Sequence, residues 1–171
     1  FESIISFTGT AHDLTTGKLI YTEHHQIQFD SNGNRESGVV HYKNATSDLI
    51  ATKSLDYDLT GFFPSFNFTD LRSDHLINVT LKDANIDIEL GLPSSLELDS
   101  LDVLKGEVMI ADAGFDVFML KNWQDLIAGN RKVVEFLAPT RAMFVTFYIE
   151  RTFVNDNRVG FIRAHDSLFI C

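Results

Sequence analysis

Apolar and polar residues alternate along most of the chain with the period of two that a half-buried strand requires. Segments 3–11, 18–29, 36–43, 49–58, 65–71, 76–81, 86–90, 133–137, 142–153 and 158–165 carry the pattern. Each is rich in β-branched or aromatic residues and bounded by turn residues. The clearest turns are Asp13 to Gly17 and Asn32-Gly33, and Asn155-Asp156-Asn157 joins the last two strands in the same way. Consecutive strands linked by short turns predict a topology that is mostly a meander.

One stretch breaks the period. From Asp112 to Gly129 the apolar residues Phe115, Phe118, Met119, Trp123, Leu126 and Ile127 recur at helical spacing, while Lys121, Asn122, Gln124 and Asp125 face away. Asp112 suits an N-cap, Asp116 places negative charge near the positive helix end, and Gly129 supplies a left-handed stop. Strands and helix together predict a mainly β (α+β) fold, a curved antiparallel sheet or half-barrel meander wrapped around one long amphipathic helix. In that arrangement Trp123 is buried, and Trp123→Ala costs about 3 to 5 kcal/mol.

The second hairpin fixes a register. An Asn32-Gly33 two-residue turn pairs residues whose numbers sum to 65, which puts Tyr21, Glu23, His25, Ile27 and Phe29 on one face with Val40 and Tyr42. This face looks inward, and Glu23 and His25 interrupt it. His24 and His41 lie opposite each other on the other face.

At 171 residues the chain reads as one domain, residues 1–171, able to bury about 70% of its unfolded surface. A formal charge of −10 with scattered basic residues argues against a nucleic-acid partner. Cys171 is the one cysteine, so no internal disulfide forms. The chain enters a strand pattern almost at once after Phe1-Glu2, as a processed exported chain would. It ends in another, 167–171, which suggests that natural C-terminal strands follow.

Asp112-Ala-Gly-Phe-Asp-Val-Phe118 with Asn122-Trp123, Val134-Glu-Phe-Leu-Ala-Pro-Thr-Arg141, and the opening from Gly9 to His25 resemble an uncharacterised family of proteobacterial exported proteins. That resemblance implies a periplasmic location and further C-terminal strands, and it carries no catalytic residues. At the level of fold the pattern is also similar to the half-barrel of the periplasmic lipoprotein carriers LolA and LolB.

The candidate chemistry is thin. His24 and His41 have metal-ligand spacing, but no carboxylate shares their face, and a solvated polar ladder is the better reading; no metal or cofactor is expected. Glu23 and His25 form a potential acid-base pair without a nucleophile or a Gly-x-Ser-x-Gly elbow, so no catalytic residue is assigned and an enzyme is not expected. Asp99, Asp102, Glu107, Asp112, Asp116 and Asp125 read as a solvated face and a helix cap, because Leu101, Val103 and Leu104 interrupt any calcium loop.

The 15 Phe matter more, since Phe62, Phe63, Phe66 and Phe68 gather around a turn that either fills the core or gates a cavity. The sequence therefore points to a non-enzymatic periplasmic binding or carrier protein for a lipid, acyl chain or other apolar ligand, with peripheral membrane contact compatible. The candidate contacts are Glu23, His25, Phe62, Phe63, Phe66, Phe115, Phe118, Met119 and Trp123. The alternative is an envelope structural or protein-interaction module with a filled core. An apolar cavity of about 300 Å³ or more beside the helix separates the two.

Overall fold

The computed structural model describes residues 3–57, 61–155 and 158–164. The expected terminal strand 167–171, and Asp156 and Asn157 of the last turn, lie outside the described residues. Eight strands form one antiparallel meander in sequence order: β1 Ser3–His12, β2 Leu19–Phe29, β3 Arg35–Asn44, β4 Leu49–Asp56, β5 Ser65–Asp70, β6 His75–Leu81, β7 Asn85–Leu92 and β8 Ser95–Asp102. A second sheet has the order β12-β11-β10-β9, from β9 Met109–Ile110, β10 Lys132–Ala138, β11 Met143–Asn155 and β12 Arg158–Ala164. Its β9 and β10 run parallel, because the helical segment crosses over between them.

The half-barrel expectation is corrected here. The eight-stranded sheet is open, with β1 and β8 as its two edges, and neither the half-barrel nor the likeness to the lipoprotein carriers survives. The single long helix is also corrected. Two short helices take its place, α1 Gly114–Lys121 and α2 Trp123–Ile127. Between them Asn122 leaves helical geometry (φ −104°, ψ 9°), and its amide Nδ2 donates back to the Phe118 carbonyl at 2.9 Å. Trp123 leaves the apolar stripe at this break, being 39% exposed, whereas Phe118 before it is 3% and Leu126 after it 0% exposed.

The β2–β3 register is the one the hairpin arithmetic gives. Glu23 faces Tyr42, His24 faces His41, His25 faces Val40 and Ile27 faces Gly38. The turn itself is wider than two residues. Asp30 accepts from the backbone N–H of both Asn32 and Asn34 at 2.8 Å, and a bulge absorbs the change so that Phe29 pairs with Arg35.

Cross-strand rows explain the two faces of the sheet. One inner row runs Ile27, Gly38, Leu55, Phe66, Val79, Ile88. The next runs Phe7, His25, Val40, Lys53, Phe68, Ile77. The opposite face carries Thr8, His24, His41, Thr52 and Thr69 in one row and Gln26, Val39, Ser54, Asn67 and Asn78 in another. A strand's alternation thus sorts one apolar face for burial and one polar face for water.

Two clusters form the core. Val40, Leu55, Tyr57, Phe63, Phe66, Val79, Ile86 and Ile88 of the large-sheet side meet Ala111, Val117 and Leu137. Ile110, Phe118, Leu126, Val134 and Ile149 form the second, between the helices and the small sheet. Helix α1 is therefore shared, with Val117 turned to one layer and Phe118 to the other. The sequence pattern missed β8, whose leucines alternate with acids: Leu98 is 72% exposed, and Glu97, Asp99 and Asp102 charge an edge that needs little burial to stay in place.

Candidate functional site

The segment Ala111 to Asp116 lies over the inner face of the large sheet, and each of its residues has a local reason to be there. The Ala111 N–H donates to the Phe62 carbonyl at 3.1 Å. At Gly114 the chains are closer still, since a Cβ would stand 1.8 Å from the Phe62 carbonyl oxygen, so only glycine permits the contact. Asp112 sits in the left-handed region at φ 44°, a conformation that Asp tolerates better than most residues. It does not bond the helix as an ordinary N-cap does. Its Oδ1 accepts from the adjacent Ala113 N–H at 2.7 Å, and its Oδ2 accepts from Lys53 Nζ at 2.6 Å.

Between this segment and the sheet is a cavity of about 490 Å³. Its apolar walls are Phe7, Ile27, Val40, Phe115 and Phe136. Its polar lining consists of Glu23 and His25 from β2, Arg35 and Tyr42 from β3, Lys53 from β4, Tyr57, and Asp112 and Asp116. Phe115 meets Phe136 edge-on with ring centres 6.5 Å apart, which closes one side.

Lys53 occupies a position between Val40 and Phe68 where the alternation calls for an apolar side chain. Its side chain is only 12% exposed, and its ammonium lies over the rings of Tyr42, Phe66 and Phe68 at 5.5, 5.8 and 5.8 Å. Burial works against its charge, but Asp112 and the Tyr42 hydroxyl outweigh it and raise the pKa above the usual lysine value. Lys53 is held protonated. Burial likewise raises Tyr42, with Lys53 opposing.

A second ion pair repeats the arrangement. Arg35 donates to Asp116 Oδ2 at 2.6 Å and to the Tyr57 hydroxyl at 3.3 Å, with its guanidinium carbon 5.6 Å from the Tyr57 ring centre. For Arg35 too, burial opposes the charge and the bonds to Asp116 and Tyr57 overcome it. Burial pushes the Tyr57 phenol up, against the pull of Arg35. At the β1 end His25 Nε2 lies 3.0 Å from Glu23 Oε2, and the Phe7 ring stacks on the imidazole with centroids 4.4 Å apart.

Of the residues read from the sequence, Glu23, His25 and Phe115 line the cavity. Phe62, Phe63, Phe66 and Phe118 belong to the packed core, Met119 packs against the second cluster, and Trp123 lies at the surface. His24 is bonded to Thr8 and Thr22 on the opposite face. Among the described residues no group of three His, Cys, Asp or Glu is placed to hold a metal.

Arg35, Tyr42, Lys53 and Tyr57, and the pairing roles of Asp112 and Asp116, were missed. For Lys53 the signal was present: strand alternation from Ala51 to Leu55 sets it inward, as it does Glu23 and His25. Comparison with protein-family models, curated proteins and solved structures finds no match to this chain.

Proposed function

We propose that the protein is a non-enzymatic binding or carrier protein for a small apolar or amphipathic molecule, seated in the cavity between the large sheet and the Ala111 to Asp116 segment. The observation that carries this reading is the cavity itself. Its volume of about 490 Å³ lies within the range of ligand pockets, and aromatic and aliphatic walls stand beside a set of polar groups. The charges support binding over catalysis. Lys53 and Arg35 are each committed to an aspartate at 2.6 Å, and a protonated lysine is not the neutral amine that covalent chemistry needs. The periplasmic setting is part of the proposal and rests on sequence resemblance alone, that of the segment from Asp112 to Phe118 to exported proteins.

The test is saturable binding of the neutral fluorophore N-phenyl-1-naphthylamine, together with native mass spectrometry of freshly purified protein for a retained lipid. We expect one site per chain, lost in Val40→Trp, which fills the cavity. A wild-type chain that binds no probe and retains no lipid overturns the reading. An envelope interaction module has one observation in its favour: edge strand β1 leaves Ile4 69% and Ile5 52% exposed, open to strand addition by a protein partner.

A further inference from the structure

Resting on the cavity as a ligand site, we infer that the bound molecule carries an alkylammonium head, a primary amine or a quaternary ammonium, seated against Glu23 beside the ring of Phe7. Three carboxylates and two permanent cations line the cavity. The salt bridges commit Lys53 to Asp112 and Arg35 to Asp116, so four of these charges have partners of opposite sign within the protein. The third carboxylate, Glu23, is paired with His25, whose Nε2 lies 3.0 Å away, rather than with a lysine or arginine of the lining.

The ground around Glu23 is shaped for a cation. In the cross-strand row it lies between Gly9 and Tyr42. Gly9 offers no side chain and lines the cavity together with Glu23; a Cβ there would stand 3.5 Å from Glu23 Oε2, in ordinary contact. Phe7 lines the cavity beside it, stacked on His25, and Tyr42 lines it from the other side. The Glu23 carboxylate attracts an ammonium directly and the Phe7 ring adds its quadrupole, whereas the Tyr42 ring already carries the Lys53 ammonium at 5.5 Å. An anionic head meets the opposite: the Glu23 carboxylate, and cations that must first abandon Asp112 or Asp116 to receive it. The apolar tail then runs along Val40 toward Phe115 and Phe136.

The experiment is displacement of N-phenyl-1-naphthylamine by octyltrimethylammonium, octylamine, octanol and octanoate, each below its micellar concentration. In the wild type the two cations displace the probe at concentrations at least about tenfold lower than octanoate, with octanol between. Glu23→Gln still binds the probe but brings all four within about threefold of one another. Gly9→Leu, which puts a side chain over Glu23, removes the same preference without changing charge. Asp83→Asn, an exposed acid in the β6–β7 turn, leaves the preference intact and shows that net charge is not its source. Octanoate matching the cations, or a preference that survives both Glu23→Gln and Gly9→Leu, overturns the inference while leaving the cavity reading in place. Absence of any probe binding overturns both.

Discussion

Lys53 and Asp112 meet at 2.6 Å, joining the inner face of β4 to the turn before α1 across 59 residues of chain. Among the described residues the pair is, with Arg35 and Asp116, one of two ionic links between the large sheet and the segment that covers it. With side-chain exposures of 12% and 22%, each charge depends on the other for its solvation. Lys53→Met is therefore expected to lower stability by about 2 to 4 kcal/mol, and Asp112→Asn by somewhat less, because Asn keeps both the left-handed backbone and the acceptor for Ala113. Urea unfolding of the single and double variants checks this. Additive losses would mean that the two residues do not stabilise each other.

Gly114→Ala is expected to cost at least about 3 kcal/mol, because the methyl group would fall on the Phe62 carbonyl oxygen and one of two backbones must retreat. Gly9→Ala, whose Cβ finds only ordinary contact with Glu23, is expected to stay within about 1 kcal/mol. Thermal melts of the two variants side by side make the comparison.

Trp123→Ala is expected to cost about 1 to 2 kcal/mol, less than the sequence pattern predicts, because the Asn122 break leaves the indole 39% exposed. Leu126→Ala, at 0% exposure in the second cluster, should cost about 2 to 5 kcal/mol. A reversed order would show that the stripe is buried as one continuous face after all.

The cavity also sets the alkaline limit of the fold. Tyr42 and Tyr57 are raised by burial, and Lys53 is raised because Asp112 and Tyr42 outweigh the burial that opposes it. For each group the folded pKa exceeds the unfolded one. Its contribution is complete below the unfolded value near pH 10 and is lost as pH rises through the folded value. The urea midpoint should hold to about pH 9 and fall above about pH 10. Lys53→Met should move Tyr42 further up, since the ammonium holds it down, and tyrosinate absorbance in the near ultraviolet reads that shift.

Most of the strands were legible because one buried face and one wet face impose a period of two, and the β2–β3 register followed from pairing geometry alone. β8 escaped because an acid-rich edge strand has no buried face to mark it. The helix was overdrawn at Asn122, where side chain and backbone N–H both donate to the Phe118 carbonyl and the backbone departs from helical angles, a local feature that apolar spacing does not register. The site was half legible. Glu23 and His25 stood out as polar intrusions on an apolar row. Lys53 obeyed the same rule from β4, but its partner Asp112 lies in another layer, and no local pattern links them.

The large sheet grows by hairpins between sequence neighbours, whereas the Arg35 to Asp116 bond closes 81 residues. Closing that span costs more chain entropy than closing a hairpin, so the hairpins are expected to precede the docking of the covering segment. The cavity exists only when that segment is docked. A molecule that occupies it therefore binds the docked state alone, and its affinity is returned as slower detachment of the cover. Occupancy of the cavity and the lifetime of the closed form are therefore expected to rise together.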